Sequence, residues 1–170
     1  MIIKTNEKSY NYSKNRPKKT IYSRVIQKTL REKAIEKIKS KLLPNKDIVR
    51  ILLIGSSVKN LFGKYEKPGF RGSLYSDFDF IIFVKEDYKI PIWLKREPRG
   101  KPFPFEELNL AYRNKKFIEK RYDVEVFFIR ESNLNKKNIK KLGEKAGIPM
   151  TNNSKNKYQV IYNKSKETKR

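Results

Sequence analysis

The sequence contains no cysteine and no histidine, and these two absences narrow the chemistry open to it. Without cysteine there are no disulfides and no thiolate metal ligands. Without histidine there is no imidazole base, no histidine-based triad and no histidine–zinc site. Any catalysis by this chain must therefore use carboxylates, hydroxyls, lysine, arginine, tyrosine or a bound metal ion.

Acidic residues are scarce, since 18 Asp and Glu face 42 Lys and Arg, for a formal net charge of +24. The excess is concentrated at the ends, with net charges of +11 over residues 1–46, +4 over 47–131 and +9 over 132–170. This distribution predicts a nucleic-acid partner, because dispersed Lys and Arg bind phosphates without sequence preference. RNA is favoured slightly over DNA, and a coding bias toward lysine is the alternative explanation.

Long apolar runs are also missing, and the lysine-rich N-terminus has no signal-peptide core. We therefore predict a cytoplasmic protein without a membrane partner. A length of 170 residues with 37% hydrophobic residues fits one folded domain. We expect a flexible basic arm over 1–19, the domain over 20–150, and a basic C-terminal strand and tail over 151–170.

Hydrophobic periodicity predicts the main elements. Apolar residues at three- and four-residue spacing indicate an amphipathic helix from Ile21 to Leu42, ended near Pro44. Apolar runs predict strands over 48–54, 78–85 and 122–129, with the second in a central position.

Local signals predict the other segments. Trp93 is expected either to stack on a nucleic-acid base or to pack a crossover against the sheet. The predicted segments are a short helix after Gly55 through Phe62, a loop or small hairpin over 63–75, an irregular crossover over 86–104, a helix over 105–120, a helix from Ser132 through Ala146, and an edge strand over 157–162.

Two aspartates, Asp77 and Asp79, open the second strand and are separated by one residue. Side chains i and i+2 of a strand share a face, so these carboxylates repel unless cations or protons neutralise them. Magnesium is the usual ion at oxygen-only sites and commonly completes its shell with substrate phosphates. The strand over 122–129 offers a third carboxylate from Asp123 or Glu125, which also share a face.

A Gly-Ser-Ser turn, Gly55 to Ser57, follows the first strand. Its backbone N–H groups and hydroxyls are suited to holding phosphates. Lys59 and Arg71 are candidates to neutralise phosphate charge, although surface lysines and arginines in general fit the same positions.

The order of a strand, a Gly-Ser turn, an Asp-x-Asp strand and a further acidic strand resembles the DNA polymerase beta-like nucleotidyltransferase superfamily over residues 48–130. The resemblance implies an α+β fold with a small mixed, mostly antiparallel sheet flanked by helices. The gap of 22 positions between Gly55 and Asp77 is longer than in compact members.

The same resemblance implies roles for individual residues. Gly55 and Ser56 would contact the nucleoside triphosphate, with Ser57 assisting. Asp77 and Asp79 would hold two Mg²⁺ ions, or Mn²⁺ in their place. The third metal-binding carboxylate would be Asp123, and Glu125 stays open as its alternative.

These observations predict a template-independent nucleotidyltransferase. It would transfer NMP from an NTP to an acceptor hydroxyl, on RNA or a tRNA, and release pyrophosphate. One alternative is an enzyme that nucleotidylates a small molecule or a protein, of the antibiotic-adenylylating or toxin type. The other is a non-catalytic RNA-binding module on the same fold.

Overall fold

A computed structural model of the chain describes residues 17–69, 72–99, 103–104, 106–151 and 154–165. Two α-helices are present in these ranges, α1 (Arg24–Leu42) and α2 (Ile139–Ala146). Short 3-10 turns cover Gly55–Ser57, Glu106–Asn109 and Glu131–Asn135. The strands are β1 (Lys19–Ile21), β2 (Ile48–Ile54), β3 (Gly63–Tyr65), β4 (Phe78–Val84), β5 (Lys95–Pro98), β6 (Leu110–Ile118), β7 (Tyr122–Arg130) and β8 (Gln159–Asn163).

Six strands form the main sheet, in the order β5-β6-β7-β4-β2-β8. Strands β4 and β7 run parallel, while the other neighbouring pairs in this sheet are antiparallel. The predicted α+β fold with a mixed, mostly antiparallel sheet is confirmed. The central position of β4 and the edge position of β8 are confirmed as well. Strands β1 and β3 form a separate antiparallel pair.

The two faces of β4 are both buried, which explains its near-continuous apolar sequence. Phe78, Phe80 and Ile82 point to one face, where they join a cluster with the buried residues of α1. Ile81 and Phe83 point to the opposite face and join a cluster that includes residues of α2. The sheet is therefore covered by a helix on each side.

Helix α1 begins after Ser23, whose side chain accepts a hydrogen bond of 3.2 Å from the Ile26 N–H. It ends at Leu42, just before Pro44, as predicted. Its start lies later than the sequence suggests, because Ile21 belongs to β1. The side chain of Val25 in the first turn is largely exposed rather than part of the core.

Gln27 is a polar side chain buried inside the α1 face of the domain. Its Nε2 donates to the carbonyl oxygens of Tyr22 at 2.8 Å and Asn60 at 3.2 Å. Its Oε1 accepts from the Phe62 N–H at 3.1 Å. This one side chain thus satisfies three backbone groups and ties α1 to the segment after the Gly-Ser turn.

Substituting Gln27→Met preserves side-chain length but removes all three of these hydrogen bonds. Because the buried backbone groups lose their partners, we expect the free energy of unfolding to fall by about 1–3 kcal/mol. Urea unfolding followed by circular dichroism measures this loss. Thr29→Ala, at an exposed position of the same helix, should change stability by less than about 0.5 kcal/mol. Equal effects of the two substitutions would contradict the role given to Gln27.

The predicted helix over 105–120 is wrong, because this segment forms a 3-10 turn followed by strand β6. Leu108, Ala111 and Tyr112 fit a helical spacing, but Ala111 and Arg113 also alternate with partly exposed neighbours. Strand β7 pairs with β4 along one edge. Pairing with β6 satisfies the backbone groups along its other edge. Tertiary pairing therefore outweighs the helical pattern.

Three further segments differ from the sequence-based expectation. The supposed irregular crossover contains β5, which pairs with β6 at the sheet edge. The helix expected from Ser132 is a 3-10 turn and then the shorter α2, which ends at Gly147 with a left-handed φ of +75°. After Gly55 there is one 3-10 turn instead of a helix through Phe62.

The described part of the 63–75 segment, residues 63–69 and 72–75, is a small hairpin, one of the two predicted forms, since Lys64 bridges Tyr75 across it. Trp93 stacks on Phe117 with ring centroids 5.0 Å apart and planes at 7°, so it packs the crossover. Most of the predicted basic arm lies outside the described residues, but Lys19 belongs to β1. Within the ranges that the structure describes, no helix has the length and apolar character to cross a bilayer.

Candidate active site

Four acidic side chains meet at one end of the main sheet. Asp79 of β4 lies directly opposite Glu125 of the parallel strand β7. Asp77 and Asp123 precede them by two residues each and therefore point to the same face. The sequence-predicted carboxylates are thus brought together, on the face of the sheet that α2 covers farther along.

A buried arginine lies among these carboxylates. Arg113 of β6 is 3% exposed and pairs in register with Glu125. Its guanidinium donates to Glu125 Oε2 at 2.5 Å, to Asp77 Oδ2 at 2.8 Å and to Asp123 Oδ2 at 3.4 Å. Burial alone lowers the pKa of Arg113, but the charges of Asp77 and Glu125 raise it overall. The side chain is a permanent cation within the cluster.

The surroundings of Asp79 oppose the ionisation of its carboxyl group. Removal from water raises its pKa well above the usual value, and the charges of Asp77 and Glu125 raise it further. The positive charge of Arg113 opposes this shift without cancelling it. A side-chain hydrogen bond with Asp77 raises the Asp79 pKa as well. Such a pair gains free energy from a cation placed between its oxygens.

Asp123 is held from two sides. Its Oδ2 contacts Arg113, and its Oδ1 accepts a 2.9 Å hydrogen bond from the backbone N–H of Lys116. Lys116 has a left-handed φ of +56° and lies in an irregular stretch of β6 between Asn114 and Ile118. This bulge turns the peptide N–H toward the carboxylate.

Gly55 approaches the cluster so closely that no side chain fits. Its φ is +79°, and a Cβ atom added there would lie 2.3 Å from Asp79 Oδ2. The preceding residue, Ile54, pairs with Asp79 across β2 and β4. The Gly-Ser turn is therefore fixed beside Asp79, as the sequence pattern requires.

The other predicted phosphate-binding residues lie around this turn. Ser56 is half-buried, and its carbonyl accepts from the Leu61 N–H at 2.9 Å. Ser57 is buried, and its carbonyl accepts from Arg31 at 3.0 Å, so it helps to anchor the turn to α1. Lys59 is exposed just after the turn. Arg71 lies outside the described residues.

The donor set fits a divalent cation at Asp77 and Asp79. Three carboxylates, those of Asp77, Asp123 and Glu125, lie within 3.4 Å of the single Arg113 guanidinium, so the cluster keeps an excess of negative charge even before Asp79 is counted. Hard oxygen ligands of this kind suit Mg²⁺ or Mn²⁺. In the described part of the chain, no three acidic side chains already converge on one point as metal ligands. Asp123 and Glu125 would have to release Arg113 before either could join a metal shell.

Sequence reasoning missed two members of the cluster, Arg113 and Glu97. The carboxylate of Glu97, on β5, lies 3.9 Å from Arg113 Nε. Both lie in segments for which the sequence predicts no strand, so their alternation toward the acidic face is hidden. A strand over Leu110–Ile118 places Arg113 opposite Glu125. This register is the signal that would identify Arg113 as part of the site.

No protein-family model matches the chain, and no curated protein sequence matches it either. A function for this chain is therefore inferred from the side chains and strand order described above.

Replacing Gly55→Ala tests the close approach of the turn to Asp79. The left-handed backbone alone costs about 1–2 kcal/mol for a residue with a Cβ, and the new methyl group must also displace the Asp79 carboxylate. We expect lower stability in urea together with weaker Mg²⁺ binding by isothermal calorimetry. Gly72 has the same φ of +79°, but no atom lies within 4 Å of a Cβ added there. Gly72→Ala should therefore lower the stability without changing the Mg²⁺ affinity. Unchanged Mg²⁺ affinity in Gly55→Ala would contradict this geometry.

Asp79→Asn tests the raised pKa of the Asp79 carboxyl group through pH. Because folding raises the Asp79 pKa, the folded protein keeps a proton that the unfolded chain has already released above the ordinary value of 3.8. Stability contributed by this group therefore falls as pH rises from that value. Without divalent ions, we expect the variant to have a Tm a few degrees above the parent at pH 7, and the difference should shrink toward pH 4. Mg²⁺ should raise the Tm of the parent and leave the variant nearly unchanged. Identical pH profiles for the two proteins would contradict the assignment.

Proposed function

We propose that this protein is a metal-dependent, template-independent nucleotidyltransferase that transfers NMP from an NTP to an acceptor hydroxyl, with RNA as the acceptor. The observation that supports it most is the convergence of Asp77, Asp79, Asp123 and Glu125 beside a turn in which Gly55 leaves no room for a side chain. The absence of histidine and cysteine also fits a reaction that uses carboxylates and metal ions.

Each residue has a distinct task in this proposal. Asp77 and Asp79 hold Mg²⁺, which when bound supplies charge neutralisation for the triphosphate and lowers the pKa of the acceptor hydroxyl. The Gly55–Ser57 turn lies beside Asp79 and orients the triphosphate. Asp123 or Glu125 orients the acceptor hydroxyl and accepts its proton. The acceptor oxygen then bonds to the α-phosphorus, the bond to the bridging oxygen breaks, and pyrophosphate leaves.

One observation favours the non-catalytic alternative and makes it worth testing. Arg113 already neutralises part of the charge on Asp77, Asp123 and Glu125, as it would in a cluster that serves only the fold. In that case the protein would bind RNA without transferring any nucleotide. The two functions differ in whether substitution at Asp79 abolishes a reaction.

The decisive experiment incubates the full chain with each α-labelled NTP, Mg²⁺ and total RNA, and then follows the label by gel electrophoresis. We expect label to enter RNA and pyrophosphate to be released. Asp79→Asn should reduce the rate at least about 100-fold, because loss of a metal ligand removes several kcal/mol of transition-state stabilisation.

The matched control is Asp87→Asn, which makes the same chemical change at an exposed loop position beyond the other end of β4. It should label RNA at the parent rate. Label on protein or on a small molecule would instead support the other nucleotidylation class. If no NTP gives a product that depends on Asp79, the transferase proposal is wrong.

A further inference from the structure

A second feature adjoins the acidic cluster on the side away from the Gly-Ser turn. It is an open pocket of about 600 Å³ between the 63–75 hairpin and the hairpin that joins β6 to β7. We call it the hairpin pocket. Its lining residues are Gly72, Ser73, Leu74, Tyr75, Lys115, Lys116, Lys120, Arg121 and Asp123.

The hairpin pocket is strongly cationic. Lys115, Lys116, Lys120 and Arg121 supply four positive charges, and all four side chains are exposed. None of them forms an ion pair with another described residue. The single acidic side chain of the lining is Asp123, which already contacts Arg113. An anionic ligand therefore enters a positive electrostatic field that the four side chains keep, because no ion pair with another described residue neutralises them.

Helix α1 binds a neighbouring carboxylate that could otherwise pair with the lysines of the pocket. Glu119 is the one acidic residue between positions 115 and 121. Its carboxylate pairs with Lys33 of α1 and is not part of the pocket lining. Lys37 of α1 donates to the Phe117 carbonyl at 2.6 Å and supports the same hairpin from behind. The lysines of the pocket are thus left available to a ligand.

The hairpin backbone is held in a costly conformation. Lys116, Glu119 and Lys120 have φ values of +56°, +53° and +56°, a region that residues with side chains seldom adopt. A turn closed by the Arg121 N–H and the Ile118 carbonyl at 3.0 Å commonly carries Asn and Gly there instead. Strain of this kind concentrates at binding and catalytic sites.

Tyr75 gives the pocket an aromatic wall. Its ring packs edge-on against Tyr122 at 5.0 Å, and the guanidinium of Arg121 lies 5.6 Å from its centroid. Cations beside an aromatic ring are a common arrangement in sites that bind single-stranded nucleic acid.

Sheet order places the pocket on one side of the carboxylates and the Gly-Ser turn on the other. Strands β7 and β4, which carry the acids, lie between β6 and β2. The turn adjoins Asp79, while the hairpin pocket reaches Asp123. Two substrates of one transfer reaction require such opposite approaches to the reacting atoms.

We propose that the hairpin pocket binds the phosphates at the 3′ end of a single-stranded RNA acceptor and delivers its terminal hydroxyl to Asp123. This inference builds on the proposed function and names the acceptor side of that site. A polycationic small molecule would be repelled by the four cations. Acceptors of that chemistry are therefore disfavoured at this pocket.

The test uses the full chain and a labelled single-stranded RNA oligonucleotide, with binding followed by fluorescence anisotropy in EDTA over a series of KCl concentrations. The variant Lys115→Gln/Lys116→Gln/Lys120→Gln keeps a polar side chain of nearly the same length at each position and removes three charges. We expect at least about tenfold weaker binding at low salt, and a salt slope smaller by about 2, since each phosphate contact to a single strand contributes about 0.7.

The matched control is Lys137→Gln/Lys140→Gln/Lys141→Gln, which makes the same charge change at exposed positions on and before α2. It should bind RNA with nearly the parent affinity and slope. Equal losses in both variants, or none in the first, would overturn the inference. A DNA oligonucleotide of the same sequence that binds more tightly than RNA would overturn RNA as the acceptor.

A kinetic measurement separates this inference from the proposed function. In the labelling reaction, the pocket variant should raise the KM for RNA and leave the KM for NTP unchanged. A raised KM for NTP alone would place the triphosphate in this pocket and overturn the inference. Salt-dependent RNA binding by the pocket lysines without any label transfer would overturn the transferase proposal and leave the pocket as an RNA-binding site.

Discussion

The contact between Arg113 and the surrounding carboxylates is the interaction on which this end of the molecule depends. Acidic side chains from β4 and β7 converge there, and like charges so close destabilise a fold unless they are neutralised. A buried guanidinium provides that neutralisation with a planar set of donors, which suits several carboxylates at once. Removing one partner of a buried pair costs about 3–5 kcal/mol. Arg113 therefore joins β6 to the acidic side chains of β7 and of the residue just before β4.

The protein separates its charges into adjoining regions. The acidic cluster lies on the sheet, whereas the exposed lysines lie on the hairpin beside it. Asp123 belongs to both regions, and the backbone N–H of Lys116 rather than its side chain contacts the carboxylate. Phosphates drawn in by the lysines would thus arrive next to the carboxylates that are proposed to hold a metal ion. Neither region alone would give both attraction of a polyanion and transfer chemistry.

The sequence predicts those parts of the site that depend on local periodicity. The joint projection of Asp77 and Asp79 follows from the two-residue period of a strand, and the Gly55 turn follows from the end of an apolar run. The role of Arg113 cannot be predicted from local sequence, because it comes from strand register: Arg113 faces Glu125 only after β6 pairs with β7. The strained hairpin gives no composition signal either, since Lys116 and Lys120 occupy positions where glycine or asparagine is usual.

The parallel pairing of β4 with β7 also has a consequence for folding kinetics. Asp79 and Glu125 are direct neighbours in the sheet but lie 46 positions apart in the chain. Closing so long a loop costs entropy before any contact repays it, so non-local pairings of this type form slowly. The hairpins and α1 depend on nearer contacts and can form earlier. The acidic cluster is then assembled only when the sheet is complete, and a partly folded chain has no two-strand site at which a divalent ion can trap it.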